Sequence, residues 1–189
     1  MTSRFIHLPL IALDRDGTLI REGDYLKDPK KVKLFSGVPE SLRRLKQAGY
    51  KVVVLSNQSG VGRGIITLQE MRVVLRQFQK LLRRHGVTLD GYFQCIHHPR
   101  RRCACRKPGL KMLRQAARCL GVSWKGAISI GDRPSDVQVG QRAGGKGLLV
   151  LTGYGRRWIG RNRAFKPNHV SATFQNAVDW ILKNERGPL

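Results

Sequence analysis

The chain has 189 residues, enough for one hydrophobic core of ordinary size but not for two comfortable domains. Its 36 Lys and Arg residues outnumber its 12 Asp and Glu residues and give a formal net charge of +24 at pH 7. Such a charge is typical of proteins that bind nucleic acids, anionic membrane surfaces or polyanions. The hydrophobic fraction of 41% excludes a disordered basic tail. No apolar run approaches the roughly 20 residues that a membrane-spanning helix needs.

Apolar runs alternate with helical patterns along the chain. The first run lacks a small-x-small cleavage site and leads into acidic residues, so we interpret it as a strand rather than a signal peptide. Strands are predicted at 8–13, 51–55, 92–96, 127–130 and 147–151, and helices at 38–48, 67–85, 108–120, 135–143 and 173–182. This alternation predicts an α/β fold, a Rossmann-like three-layer sandwich with a mainly parallel central sheet. We expect one domain over 1–189, with no separate cap domain.

Three of the predicted strands end in chemically active side chains. Asp14 and Asp16 follow the first strand, Ser56 follows the second, and Asp132 follows the fourth. Because ligands bind at the carboxyl ends of the strands in such folds, these residues are expected to share one site.

The pattern of these side chains indicates phosphoryl transfer. One of the paired carboxylates can bind Mg²⁺ and attack phosphorus, while the other transfers protons. Asp132 would add a hard oxygen ligand for the same cation. The Ser56 hydroxyl and the Lys107 ammonium would neutralise the oxygens of the transferring phosphoryl group.

Four segments together resemble the motifs of the haloacid-dehalogenase-type phosphohydrolases. They are Asp14-Arg15-Asp16-Gly17-Thr18, Ser56, Lys107 and the Gly-Asp-x-x-x-Asp run from Gly131 to Asp136. The resemblance implies that Asp14 is the nucleophile and that Asp16 protonates the leaving oxygen and later activates water. It also implies Mg²⁺ on the Asp14 carboxylate, the Asp16 carbonyl and Asp132, with Asp136 orienting its neighbours.

A cysteine-rich loop at residues 95–105 predicts a second metal site. Cys95, His97, Cys103 and Cys105 supply three thiolates and one imidazole, the ligand set of a closed structural Zn²⁺ site. His98 in place of His97, and a cluster without metal, are the alternatives. A bound ion would hold Arg106 and Lys107 over the phosphate site. The fourth cysteine, Cys119, is expected to be an inert core thiol.

Within the superfamily, the chain is similar to the D,D-heptose 1,7-bisphosphate phosphatases and the histidinol-phosphate phosphatases. The stretches 37–40, 46–50, 57–64 and 151–155 favour the heptose group. This resemblance implies a cytoplasmic, monomeric 7-phosphatase of D-glycero-D-manno-heptose 1,7-bisphosphate, which serves lipopolysaccharide-precursor synthesis. Histidinol-phosphate phosphatase and polynucleotide 3′-phosphatase are the alternatives, and the charge favours the latter while the cysteine loop disfavours it.

The resemblance also implies a set of substrate contacts for a small phosphorylated metabolite, with neither a membrane nor nucleic acid as the expected partner. The contacts are Glu22, Gly23, Asp24, Tyr25, Ser56, Asn57, Gln58, Ser59, Arg106, Lys107 and Arg133. Arg63 and Arg15 are added as cations that would surround an anionic bisphosphate.

Overall fold

A parallel sheet of six strands forms the centre of the molecule. The computed structural model describes residues 10–161 and 165–185. The strands are β1 (Leu10–Leu13), β2 (Lys51–Asn57), β3 (Gly91–Cys95), β4 (Ile128–Gly131), β5 (Gly147–Val150) and β6 (His169–Ser171). They lie in the order β3-β2-β1-β4-β5-β6, and every neighbouring pair is parallel. This order places β1, which carries the first acidic motif, in the middle of the sheet.

Helices cover both faces of this sheet. They are α1 (Val38–Gln47), α2 (Ser59–Gly62), α3 (Leu68–Arg84), α4 (Lys111–Leu120), α5 (Pro134–Arg142) and α6 (Phe174–Asn184). In the described part of the chain, no helix combines the length and the apolar character required to cross a bilayer.

The core is divided by the sheet into two clusters. Ile11 and Leu13 of β1 pack with α1, α3 and α6 on one face. Leu10 and Ala12 of the same strand pack with α4 and part of α5 on the other face. Side chains alternate between the faces of a strand, so an uninterrupted apolar run is what a strand covered on both sides requires.

Strand register brings the chemically active residues to one edge. Leu13 pairs with Val54 of β2 and with Ile130 of β4. Asp14, directly after β1, therefore lies level with the last residues of its two neighbouring strands, and its backbone N–H donates to the Ile130 carbonyl at 2.9 Å. The carboxyl ends of the three central strands form the floor of one site.

The predicted α/β class and parallel sheet are confirmed, and three details differ. The strand β6 and the four-residue helix α2 were not predicted, and α4 begins at Lys111 instead of residue 108. The prediction that Cys119 is a core thiol is wrong, because this residue is exposed. Residues 8 and 9 of the first predicted strand lie outside the described residues.

Candidate active site

A buried ion-pair chain lies at the centre of the site. The Lys107 ammonium contacts Asp14 Oδ1 at 2.6 Å and Asp136 Oδ1 at 2.8 Å. Burial alone would lower the pKa of Lys107, but the charges of Asp136 and Asp14 outweigh it and raise that pKa. Lys107 is therefore a permanent cation beside the Asp14 carboxylate, as neutralisation of a phosphoryl group requires.

Asp132 is the third carboxylate of this cluster, and it is fully buried. Its Oδ2 accepts a hydrogen bond from the Tyr154 backbone N–H at 2.7 Å, whereas its Oδ1 accepts no hydrogen bond from the described residues and lies 4.0 Å from Arg133 Nε. Burial, with a further contribution from the charge of Asp136, raises the pKa of Asp132 to about 7. Burial likewise raises the pKa of Asp14 well above its usual value, although Lys107 opposes the shift.

Two glycines leave the space that the Asp132 carboxylate occupies. A Cβ on Gly17 would lie 2.3 Å from Asp132 Oδ2, and a Cβ on Gly153 would lie 2.2 Å from the same atom. Gly17 also has φ +82°, a left-handed conformation that side chains disfavour. The turn after Asp16 thus requires glycine both for its conformation and for the close approach of Asp132.

The acidic cluster fits a divalent cation. One oxygen from each of Asp14, Asp132 and Asp136 lies within 4.8 Å of the others. Three carboxylates and the Lys107 ammonium have a formal net charge of −2, and Asp132 Oδ1 is a hard oxygen ligand that accepts no hydrogen bond from the described residues. Oxygen ligands of this kind are those that Mg²⁺ prefers.

Asp16 projects away from this cluster. Its two carboxylate oxygens lie 2.8–3.2 Å from Nε and Nη2 of Arg15, and its Oδ2 also accepts from Gln58 Nε2 at 2.8 Å. The same Gln58 nitrogen lies 2.7 Å from Ser56 Oγ. Because the Asp16 carboxylate is held in this way, only its backbone carbonyl remains for the predicted metal contact.

Asn57 holds the loop that carries Lys107. Its side-chain Oδ1 accepts from the Lys107 backbone N–H at 3.0 Å, and its Nδ2 donates to the Lys107 carbonyl at 3.3 Å. This two-point contact joins the end of β2 to the segment between β3 and α4.

An open cleft of about 540 Å³ lies above these groups. Tyr154 is part of its wall: its hydroxyl donates to Asp24 at 2.7 Å, and the guanidinium groups of Arg133 and Arg157 lie 4.3 and 4.5 Å from its ring centre. Arg133 also approaches Glu22 at 3.6 Å. The wall therefore presents cations that are only partly neutralised by carboxylates.

The four ligand atoms of the predicted zinc site converge. The Sγ atom of Cys95 lies 3.6 Å from that of Cys103, 3.3 Å from that of Cys105 and 3.6 Å from His97 Nδ1. In a tetrahedral site with Zn–S bonds of about 2.3 Å, neighbouring sulfurs lie about 3.8 Å apart. The cluster is therefore close to the size that Zn²⁺ requires. His98 is outside it, and its Nδ1 accepts from the Arg100 backbone N–H.

This loop contacts both the cleft and the turn after β2. Arg106 lines the cleft and its guanidinium donates to the His97 carbonyl. A Cβ on Gly62 would lie 2.2 Å from the His98 nitrogen, so the turn and the loop meet backbone to backbone. Burial raises the pKa of Cys95 to about 12, so metal binding would release its proton.

Known proteins share this fold and sequence. A family model described as HAD-hydrolase-like matches residues 104–177. The D-glycero-beta-D-manno-heptose-1,7-bisphosphate 7-phosphatase of Salmonella typhi is 34% identical over 94% of this chain and 91% of its own. The corresponding protein of Bordetella bronchiseptica is 35% identical over 93% of this chain and 99% of its own.

A crystal structure of D,D-heptose 1,7-bisphosphate phosphatase from B. bronchiseptica, complexed with magnesium and phosphate, superposes with a TM-score of 0.84. It is 32% identical and covers 93% of this chain and 99% of its own. The chain belongs to the haloacid-dehalogenase-type phosphatases. Within them it belongs to the family of the heptose-bisphosphate 7-phosphatases.

The structure brings together the side chains that the phosphatase motifs single out. Asp14, Asp16, Ser56 and Lys107 border the cleft, and Asp132 lies beneath it. All predicted substrate contacts except Arg63 also border it. Arg63 instead donates to the Tyr25 hydroxyl at 3.0 Å.

Two of the bordering residues contact other residues of the site. Arg15 is 1% exposed and its guanidinium faces Asp16. The Asn57 amide contacts the backbone of Lys107. That these two residues also contact the substrate stays a prediction.

Sequence reasoning missed several lining residues. They are Leu26, Gly60, Ser135, Tyr154, Arg157, Trp158 and Arg161. Tyr154 could have been found, since it follows the strand β5 at the same sheet edge as the phosphatase motifs. Arg157, Trp158 and Arg161 depend on how the loop after β5 folds, which no local pattern reveals. Leu26, Gly60 and Ser135 lie instead in the loop after β1, in α2 and in α5.

Proposed function

We propose that this protein is a Mg²⁺-dependent phosphomonoesterase that removes the 7-phosphate of D-glycero-D-manno-heptose 1,7-bisphosphate through an aspartyl-phosphate. The observation that carries the proposal is the Asp14 carboxylate at the end of β1, 2.6 Å from the buried Lys107 ammonium. A carboxylate beside a fixed cation, at the floor of an open cleft, is placed to attack phosphorus as the cation stabilises the charge that develops. The names and sequences of the relatives support the sugar bisphosphate as substrate.

Each side chain has a defined part in two displacements. An Asp14 carboxylate oxygen forms a bond to phosphorus while the bond to the leaving oxygen breaks, and Asp16 gives that oxygen a proton. Water then bonds to phosphorus as the Asp14–phosphorus bond breaks, and Asp16 accepts the proton of the water. Lys107 and the Ser56 hydroxyl bind the phosphoryl oxygens in both steps.

The metal proposal rests on the charge of the cluster. Asp14, Asp132 and the Asp16 carbonyl would hold Mg²⁺, which supplies positive charge for the developing negative charge on the phosphoryl group. Asp136 keeps a different task, because its Oδ1 holds Lys107 and its Oδ2 accepts from the Arg133 backbone N–H at 3.0 Å. It orients the lysine instead of serving as a metal ligand.

We infer that Zn²⁺ occupies the Cys95, His97, Cys103 and Cys105 cluster as a structural ion. Three thiolates and an imidazole fill a tetrahedral shell and leave no open position for catalysis. The ion would fix the loop whose next residues, Arg106 and Lys107, border the cleft.

The walls of the cleft support an anionic substrate with two phosphates. Arg106, Arg133, Arg157 and Arg161 all border it, beyond the Lys107 that serves the reacting phosphate. A second phosphate on the sugar would bind these guanidinium groups, which suit bidentate contacts with phosphate oxygens. We also propose that the chain acts as a single domain and as a monomer.

The decisive experiment compares kcat/KM for the β and α anomers of the heptose bisphosphate, histidinol phosphate and a 3′-phosphorylated oligonucleotide. Phosphorus NMR of the heptose product identifies the phosphate that remains. We expect the heptose bisphosphate to be preferred at least 100-fold and to lose its 7-phosphate. Asp14→Asn, shown to be folded by circular dichroism, should abolish turnover. Preference for the oligonucleotide or for histidinol phosphate would overturn the substrate assignment.

A further inference from the structure

Arg15 is a charged side chain inside the protein. It is 1% exposed, and it is the largest of the fully buried side chains among the described residues. Its Nε and Nη2 lie between 2.8 and 3.2 Å from the two carboxylate oxygens of Asp16. Its Nη1 has no described partner.

The burial of this guanidinium requires an explanation. Removing a cation from water is costly unless the charge is paired, and an apolar side chain could fill the same volume without that cost. The described side-chain partner of Arg15 is Asp16, which we assign to proton transfer. The position therefore serves the carboxylate rather than the packing of the core.

Gln58 holds the same carboxylate from the end of β2. Its Nε2 lies 2.8 Å from Asp16 Oδ2 and 2.7 Å from Ser56 Oγ. Arg15 and Gln58 thus contact Asp16 from two different strand ends. These two contacts fix the direction of the Asp16 carboxylate. Without them, rotation about χ1 and χ2 would let the carboxylate take other directions.

We propose that Arg15 is a positioning residue that acts through Asp16, and that it keeps the carboxylate where it can exchange a proton with the leaving oxygen and with water. The proposal rests on the proposed phosphatase function. Arg15 does not contact the phosphate in this account. Its effect is confined to steps in which Asp16 gives or takes a proton.

This role has a consequence that depends on the leaving group. The value of kcat/KM reports the steps up to formation of the aspartyl-phosphate. A sugar alkoxide is a poor leaving group and needs the proton of Asp16, whereas p-nitrophenolate leaves without one. Loss of positioning should therefore slow the sugar phosphate far more than the aryl phosphate.

The test compares Arg15→Met, Arg15→Lys and wild type with the heptose bisphosphate and with p-nitrophenyl phosphate. We expect Arg15→Met to lower kcat/KM about 100-fold for the sugar phosphate and less than about threefold for the aryl phosphate. Arg15→Lys keeps the charge but cannot make the paired contact, so its loss should be intermediate. Arg72→Met, an exposed arginine of α3 away from the cleft, serves as the control and should change neither value.

A second measurement distinguishes loss of positioning from damage to the fold. Asp16→Asn should show the same dependence on the leaving group, and adding Arg15→Met to it should cost less than about twofold more. Equal losses with both substrates, no loss with the sugar phosphate, or a full further loss in the double variant would overturn the role of Arg15. A wild-type protein that hydrolyses neither ester would instead overturn the proposed function.

Discussion

Asn57 joins two parts of the catalytic site that are distant in sequence. Its amide makes both a donor and an acceptor contact with the backbone of Lys107, 50 positions further along the chain. The lysine side chain can reach Asp14 only if this backbone is held, because the segment between β3 and α4 has no strand of its own to fix it. Asn57 thus holds the backbone of Lys107, the cation that we propose to bind the phosphoryl group.

We expect Asn57→Ala to lower kcat by about 10- to 100-fold with a smaller change in KM, because a displaced Lys107 weakens stabilisation of the transition state. Steady-state kinetics with the sugar bisphosphate measures both constants. Asn184→Ala in α6, where the amide donates to the Trp180 carbonyl at 2.8 Å, is the control. A rise in KM with unchanged kcat would show that Asn57 binds substrate instead.

Gly17 offers a test of the carboxylate geometry. Gly17→Ala places a methyl group in the volume of Asp132 Oδ2, so we expect a loss of more than about 100-fold in activity and weaker Mg²⁺ binding. Gly121→Ala is the matched control, since φ is +67° and no atom of the described residues lies within 4 Å of an added Cβ. It should lower the free energy of unfolding by about 1 kcal/mol through backbone strain alone, with activity intact. Magnesium titrations and thermal unfolding separate the two effects, and equal activity losses would contradict the explanation.

Residue types at strand ends were enough to predict which side chains lie together, because parallel strands bring their carboxyl ends to one edge of the sheet. The directions of Arg15 and Asn57 could not be predicted in the same way. These directions depend on contacts that form only in the folded protein. Arg15 turns towards the carboxylate of the next residue, Asp16, and Asn57 contacts the backbone of Lys107, 50 positions along the chain. The spacing of residues in the sequence does not reveal either contact.

At the scale of elements, the loop at residues 95–105 differs from the rest of the fold. It contains no helix or strand beyond the end of β3 at Cys95, and its described side chains supply few apolar contacts. Metal coordination would replace the burial that stabilises the other connections. Because Arg106 and Lys107 follow this loop directly, disorder in the loop would displace Lys107 from Asp14.

We expect Cys103→Ser to reduce bound zinc from about one ion per chain to less than about 0.2, to lower the melting temperature, and to lower activity at saturating Mg²⁺. Elemental analysis, thermal unfolding and kinetics provide the measurements. Cys119→Ser is the matched control, since that thiol is exposed and outside the cluster. Zinc-free wild-type protein with full activity and unchanged melting would refute this role of the loop.

The helical pattern predicted α4 but not the exposure of Cys119. The buried positions are Met112, Leu113, Ala116 and Ala117. At 3.6 residues per turn, Cys119 lies close to the row of Met112, at the edge of this face and about 90° from its centre. The sequence pattern does not show whether a residue at that edge is buried, and the structure leaves this thiol exposed. The strand β6 was missed because three residues are too few to show a period of two.

The whole molecule carries far more positive charge than its reaction requires. The cations of the cleft wall account for a small part of the +24. We expect the remainder to act at a distance, since like charges spread over a surface sum to a field that attracts anions.

We expect kcat/KM for the sugar bisphosphate to fall several-fold as ionic strength rises from about 10 to 150 mM, because the screening length shortens from about 30 to 8 Å. The constant kcat should change little, since bound substrate is already within the cleft. p-Nitrophenyl phosphate carries fewer charges and should show a shallower slope. Equal slopes for the two substrates would mean that the net charge does not steer the substrate.

The close approach of Gly62 to the loop that holds His97 and His98 has a consequence for the order of assembly. The helix α2, whose Ser59 and Gly60 line the cleft, packs at Gly62 against the loop that would hold zinc. We therefore expect zinc to be loaded first, since only a closed loop gives the cleft its final shape. A newly synthesised chain without zinc would retain its sheet, but bound Mg²⁺ would support no turnover because the cleft would lack its final shape. A shortage of zinc would therefore stop a reaction whose chemistry uses Mg²⁺.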